Sequence, residues 1–246
     1  MNPDEYTKMY ELEDHYWWFV GRRQLAIDLL QRNLPKGSNT LLDLGCGTGV
    51  ISRELQPLGT TISLDFSDLA LNYCCRRGLS RCVKGDGTVL PLKGDQFDGI
   101  LGLDIFEHIE DDLAAFKESC RVLRPGGVLV LSVPAFKSLW GPHDVALHHF
   151  RRYRKNQMKA CLEEAGFEVV RCTYSVFFLF PIVVITRFLE KRRKGPAKAS
   201  LPRVSNFVNK ALIRLQSLEA GLIVSGINLP WGSSVVAVAR KPLEQS

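Results

Sequence analysis

No apolar run in this sequence is long enough to cross a bilayer. The best candidate, residues 176–185, falls short of the ~20 residues that a spanning helix needs, and Pro181 interrupts it. The seven cysteines are odd in number and contain no C-x-x-C pair, which argues against a zinc ribbon or a disulfide framework and for reduced thiols in a cytoplasm. The N-terminus lacks the basic stretch and apolar run of a signal peptide; Asp4 and Glu5 stand there instead, and a cytoplasmic location is expected. Neither sign of charge dominates: 32 Lys plus Arg against 26 Asp plus Glu give +6, a balance compatible with nucleic acid, an anionic membrane or an acidic substrate. There is no internal repeat, and only residues 191–200 have a linker's composition. With 46% hydrophobic and 24% charged residues, a disordered, collagen-like or coiled-coil chain is excluded, and one main domain with decorations is expected.

Between residues 40 and 133, short apolar runs alternate with helical patterns, the signature of βαβ units and a mostly parallel sheet. Strands are predicted at 40–44, 61–64, 82–84, 98–103 and 128–133. Ile51, Leu55 and Leu58 mark one helix; Leu113, Phe116, Cys120 and Leu123 mark another, ending at Arg124-Pro125-Gly126-Gly127, which reads as a stop and turn. Met158, Cys161, Leu162 and Ala165 share a face of a further helix with Gly166 just past its end. Strands at 167–173 and 234–240 follow. The long excursion between them holds an apolar run, a basic run and an amphipathic helix whose stripe of Val204, Phe207, Val208, Ala211, Leu212, Leu215 and Leu218 is expected to pack onto the domain.

The segment Leu41-Leu42-Asp43-Leu44-Gly45-Cys46-Gly47-Thr48-Gly49-Val50 runs from an apolar strand through three glycines into a helix. Such a loop lets the backbone approach a ligand at the positive end of a helix. Asp65 follows at the end of the second strand, where a carboxylate accepts ribose hydroxyls. A nucleoside-containing cofactor is indicated. The dinucleotide fingerprint would need a small residue at Val50, and no Tyr-x-x-x-Lys pair is present, so hydride transfer is the weaker reading.

Leu41 to Val50 resembles the first motif of class I S-adenosylmethionine (SAM)-dependent methyltransferases. The resemblance continues through Leu64-Asp65-Phe66-Ser67, Gly85-Asp86-Gly87, Phe97-Asp98-Gly99-Ile100, Asp104-Ile105-Phe106-Glu107-His108 and Arg121-Val122-Leu123-Arg124-Pro125-Gly126-Gly127, covering roughly residues 38–175. It implies an α/β, Rossmann-like, seven-stranded and mostly parallel sheet with helices on both faces and an antiparallel final strand. It further implies SAM as cofactor and S-adenosylhomocysteine as product. Asp43, Gly45 and Gly47 would shape the methionine end, Asp65 would hold the ribose with Phe66 beside the adenine, Asp86 with Gly87 would face the adenine amino group, and Asp104 with Ile105 would lie near the sulfonium. The plainer alternatives are a loop-buffering role for Asp43 and a turn role for Asp86.

Methyl transfer to a hydroxyl or amine needs alignment, exclusion of water and removal of a proton, for which histidine is suited. His149 or His148, with His143 behind them, is the candidate base or acceptor-orienting group, the alternative being loop packing. The sequence assigns no metal: His143, Asp144, His148 and His149 suit one by type, without a supporting ligand cluster. The aromatic N-terminal segment 1–36 is read as a helical lid in which Arg22 or Arg23 pairs with the methionine carboxylate, or in which Trp17 and Trp18 pack on the outer sheet face. Residues 37–174 form the SAM-binding core, 175–232 the helical excursion and 233–246 the last strand and tail.

The apolar run followed by Arg187, Lys191, Arg192, Arg193 and Lys194 fits a core element, an acceptor-pocket wall or an anchor on an anionic membrane, the last placing the protein at the inner face of a membrane. The partner is then a small-molecule or lipid-linked acceptor, methylated at O or N, and nucleic acid is disfavoured. The competing classes are an RNA-modifying methyltransferase, a nicotinamide-dependent oxidoreductase and a non-catalytic binding module.

Overall fold

The structure is a computed structural model that describes residues 3–192, 202 and 204–243. In chain order the elements are α1 (Pro3–Leu12), α2 (Trp17–Asn33), β1 (Asn39–Leu44), α3 (Val50–Leu55), β2 (Gly59–Asp65), α4 (Asp68–Arg76), β3 (Cys82–Lys84), β4 (Phe97–Leu103), α5 (Asp112–Val122), β5 (Leu123–Pro134), α6 (Pro142–Ala146), α7 (Lys155–Glu164), β6 (Glu168–Ser175), α8 (Phe180–Arg192), α9 (Asn206–Ser225) and β7 (Ser234–Arg240). The strands form one sheet in the order β3-β2-β1-β4-β5-β7-β6, parallel except that β7 runs antiparallel to both its neighbours. The expected architecture is the observed one.

Both faces of the central strands are covered, which is why these strands read as continuous apolar runs. In β5, Leu129, Leu131 and Val133 face one cluster with Phe116 of α5 and Met158 and Leu162 of α7. Val128 and Val130 face the other, with Leu25, Leu29 and Leu30 of α2 and Ala220 and Ile223 of α9. The helix α2 is thus a packed layer of the fold, and α1 alone of the N-terminal helices lies across the sheet's carboxyl edge.

Two expectations need correction. Pro125-Gly126-Gly127 does not stop the chain in a turn but lies inside β5. The helix ends at Val122, and the register jumps from Phe97↔Leu123 to Gly99↔Val128, so the extra residues form a bulge. Gly126 takes φ +80° there, and its N–H donates to the Lys241 carbonyl at 2.9 Å. The bulge stays in the sheet because a neighbouring strand end satisfies it.

The second correction concerns α9. Phe207 and Leu218 are 83% and 67% exposed, and Val208 and Ala211 are also outside; the inward line is Gln216, Glu219, Ala220 and Ile223. A polar bond sets that rotation. The Glu219 carboxylate accepts the N–H groups of Val176, Phe177 and Phe178 at 2.5, 2.8 and 3.2 Å where the chain leaves β6. Burial pushes its pKa up, against the three backbone bonds. Three otherwise orphaned amides outweigh the placement of a few apolar side chains. Arg193, Lys194 and most of the 191–200 linker lie outside the described residues.

Candidate active site

The glycine loop leaves β1 and is pinned to β2 by the N–H groups of Gly45 and Cys46, which donate to the Leu64 carbonyl at 2.8 and 3.0 Å. Asp65 completes the clamp: one carboxylate oxygen accepts Gly47 N–H and the other Ser67 N–H, both at 2.9 Å. Burial raises the Asp65 pKa, and these backbone bonds oppose the rise. Gly45 has φ +72°, and a Cβ there would come within 2.7 Å of the Ile105 side chain, so only glycine lets the two loops approach. Asp43, Gly45, Gly47, Asp65 and Ile105 therefore converge.

Asp43 does not buffer the loop amides; that task falls to Asp65. Its carboxylate accepts the Ser52 hydroxyl at 2.6 Å, which in turn accepts that of Ser63 at 2.7 Å. Burial pushes Asp43 up to about 7 despite these bonds. Phe66 stands at the rim, 71% exposed. Asp86 closes a turn by accepting the N–H and hydroxyl of Thr88, both at 2.8 Å, while Gly87 backs onto Ile109.

Over this loop lies α1, held by contacts that the sequence reading missed. The Met9 methyl rests above Gly47, and buried Tyr6 packs near Ser67 and Asp65. The Glu13 carboxylate accepts the Thr48 hydroxyl and pairs with Arg77 at 2.6 Å. Nothing local in the sequence links Glu13 to Thr48 or Arg77, which are brought together by the sheet.

The second wall begins at Asp104, which takes φ +52° and contacts the Arg22 guanidinium. Burial lowers the Arg22 pKa to about 10, with Glu107 opposing. Arg23 turns away, to Glu54 at 2.8 Å and the Glu13 carbonyl at 2.8 Å, so α2 offers only Arg22 to this edge. Trp17 and Trp18 pack edge to face near α9 rather than on the sheet: Trp17 N–H donates to Asn209, and Trp18 lines a cleft with Gln216 and Glu219.

Buried Phe106 stacks on Phe116 at 4.3 Å and fixes the loop that carries Glu107 and His108. Glu107 is wholly buried, and neither carboxylate oxygen has a hydrogen-bond partner; burial raises its pKa to about 8. From the loop after β5, His149 Nδ1 lies 2.9 Å from Asp144, which Arg152 grips at 2.7 and 3.0 Å. Burial would raise Asp144, but the bonds from His149 and Arg152 outweigh it and hold the carboxyl well below the usual range. The His108 ring meets His149 edge to face at 4.6 Å, and burial lowers the His108 pKa to about 3.

His143 approaches His149 at 6.4 Å between ring centres, burial lowering its pKa to about 4. His148 has φ +57° and is exposed, apart from this group. The structure thus brings His149, and not His148, together with Glu107, His108, Asp144 and Arg152. Glu107 and His108 were quoted in sequence only as part of a motif.

A family model described as a methyltransferase domain matches residues 42–131. The chain is similar in fold to the crystal structure of a SAM-dependent methyltransferase from Thermotoga maritima, with a TM-score of 0.62, 19% identity and coverage of 97% of this chain and 95% of that one. It is 30% identical over 152 residues to the demethylmenaquinone methyltransferase of Staphylococcus aureus, covering 56% of this chain and 60% of that protein. The matched domain and the shared fold support a class I SAM-dependent methyltransferase. A further relative is the biotin biosynthesis bifunctional protein BioHC of Teredinibacter turnerae, 26% identical over 251 residues, 92% of this methyltransferase and 44% of that protein. The chain spans less than two thirds of the length of either relative.

Among the described residues, no helix of the methyltransferase is long and apolar enough to cross a membrane. Its excursion nevertheless presents apolar side chains outward: Ile182 and Ile185 of α8 are each 59% exposed, beside Leu189, with Phe207 and Leu218 on α9.

Proposed function

We propose that this methyltransferase carries the methyl group of SAM to the oxygen or nitrogen of a small hydrophobic or lipid-linked acceptor, leaving S-adenosylhomocysteine. The observation that carries the reading is the convergence, at the carboxyl edge of β1, β2, β4 and β5, of the Asp65-clamped glycine loop, the Asp104-Ile105 loop and a buried His149 oriented by Asp144. Gly45, with no Cβ, lets the glycine loop close against Ile105, and Asp65 retains lone pairs for ribose hydroxyls. Gly45, Gly47, Asp65 and Ile105 would hold the cofactor, with Phe66, Asp86 and Gly87 toward the adenine. Bound SAM supplies a methyl group on a sulfonium, already activated for displacement.

The chain's own contribution is alignment and the proton. With His149 Nδ1 turned to Asp144, its Nε2 remains to accept a proton from the acceptor, and Asp144 stabilises the resulting imidazolium. Arg22, near Asp104, supplies a cation for the methionine carboxylate. The outward apolar faces of α8 and α9, next to the basic run in sequence, support an anionic membrane as the surface from which the acceptor is taken. The quinone substrate in the name of the staphylococcal relative agrees with that class.

Titration calorimetry should show SAM binding and no NAD binding. With an isoprenoid quinol acceptor, His149→Ala should keep SAM affinity and lose roughly 10²–10⁴ in rate. Full turnover in a folded His149→Ala variant would reject the base assignment. The protein should sediment with anionic vesicles at low salt, less so as Ile182→Ser/Ile185→Ser; equal sedimentation of the two would remove the membrane reading.

A further inference from the structure

We propose that Glu107, His108 and His149 form a binding site for one divalent first-row transition ion of the zinc class. One donor atom from each residue lies within 4.8 Å of the other two. The set is two imidazoles and a carboxylate, which leaves ligand positions open beyond the protein's three. Tetrahedral bonds of about 2.1 Å space donor atoms by roughly 3.4 Å, so the group closes onto an ion through side-chain shifts of about an ångström.

The cluster shows three further features of a ligand site. Glu107 has no exposed surface, and neither of its oxygens has a hydrogen-bond partner, although carboxylates with no exposure are ordinarily paired. A dication supplies the missing partner. His149 is turned by its bond from Nδ1 to Asp144, whose other contacts come from Arg152 and Gly141 N–H. That arrangement fixes the tautomer and leaves Nε2 for coordination, as a carboxylate behind a metal-bound histidine does. The His108 ring is set edge to face against that of His149, 4.6 Å between ring centres, which keeps both imidazoles beside Glu107. Phe106 stacked on Phe116, and Phe150 N–H donating to the Glu107 carbonyl at 2.8 Å, hold the two loops together.

The site lies at the same edge as Asp104 and Ile105, and this inference deepens the proposed function. An ion held here would coordinate the acceptor's oxygen or nitrogen at an open position and lower its pKa so that its proton is lost to water, and His149, its Nε2 then a ligand, would orient the acceptor through the ion in place of taking the proton itself. The quartet that residue types alone suggested, His143, Asp144, His148 and His149, is not the group that converges; Glu107 and His108 enter from the β4 side, and Asp144 stands behind His149.

The test uses the full chain freed of metal with a chelator, then titrated with Co²⁺ and with Zn²⁺. The expected result is one ion per chain, visible d–d bands for bound Co²⁺ and displacement by Zn²⁺. Glu107→Gln, His108→Ala and His149→Ala should each abolish the bands, Asp144→Asn should weaken affinity about 10–100-fold, and His15→Ala should bind as wild type. No stoichiometric binding by wild type, or equal binding in all variants, overturns the site. Where a variant does not fold, as read by circular dichroism, wild type with Co²⁺ still decides: the ring N–H resonances of His108 and His149 must be paramagnetically shifted, and unshifted resonances overturn the proposal. SAM calorimetry in chelator separates the two readings, because SAM binding without ion binding sinks this inference alone, and ion binding without SAM binding sinks the proposed function.

Discussion

Replacing Asp65 with Ala tests whether one carboxylate both shapes the glycine loop and holds the cofactor's ribose. In the structure it accepts two backbone N–H groups, from Gly47 and Ser67, at 2.9 Å each. A hydrogen bond to a charged group contributes about 1.5–3 kcal/mol net. Loss of both therefore costs the fold a few kcal/mol, reduced where water reaches the amides, and frees the loop that must be ordered again when SAM binds. Loss of the ribose acceptor adds about 1.5–3 kcal/mol to the binding free energy, a weakening of roughly 10- to 100-fold. Asp65→Asn separates the contributions: its carbonyl oxygen can accept one N–H, but its NH₂ faces the other, so it should recover less than half of the lost stability. The assays are urea unfolding for the loop and calorimetry with SAM for the site. An Asp65→Ala protein that is folded and binds SAM with wild-type affinity refutes the assignment, whatever its stability.

The buried Asp43 makes stability depend on pH. Its pKa in the fold is about 7, above the unfolded value near 3.8, so the neutral form is favoured by folding; its stabilising contribution is full below about pH 4 and is lost as pH rises through 7, up to about 4 kcal/mol in order of magnitude. Urea unfolding at pH 5 and pH 8 should show a larger decline in wild type than in Asp43→Asn, and parallel declines would contradict it. Glu219→Ala removes the acceptor of three N–H groups and should cost several kcal/mol in the same assay, while Glu219→Gln should restore part of it; a neutral Glu219→Ala would show that water replaces the carboxylate. Cys75 is the exposed member of the seven thiols, whereas Cys46 and Cys74 are buried with their sulfurs 3.5 Å apart, so a thiol reagent should modify Cys75 first, as peptide mapping will show.

Local chemistry made the core of this fold legible. The strand running into three glycines, the aspartate closing the next strand and the Gly166 stop each act over a few residues, and each is where the sequence places it. What escaped depends on partners far apart in sequence. Pro125-Gly126-Gly127 is turn chemistry by composition, yet it remains in the sheet because Lys241 supplies its partner from more than a hundred positions away. In α9 two apolar lines compete at helical spacing, and the choice is made by Glu219 meeting amides that only the end of β6 presents. Arg22 and Arg23 are equivalent in sequence, and the rotation of α2 sends one to Asp104 and the other to Glu54.

The histidines show where residue type stops being informative. His148 and His149 are adjacent and chemically identical, so a string of letters offers no ground for choosing. The backbone separates them: His148 adopts φ +57° and is exposed, while His149 enters a buried space already containing Asp144 and Arg152. A carboxylate gripped by an arginine is costly to leave half-satisfied in such a place, and the imidazole N–H completes its bonds. The same enclosure brings Glu107 and His108 against His149 from a loop forty positions earlier, held there by Phe106 packing on Phe116. The hydrophobic core thus sets the chemistry of the edge above it: loosening the Phe106–Phe116 contact should disperse the Glu107–His108–His149 group without touching any polar residue. Phe116→Leu is the variant that shows it, with the fold retained, SAM affinity kept within a fewfold and His149-dependent turnover reduced; unchanged turnover would mean that the edge is held by its polar contacts alone.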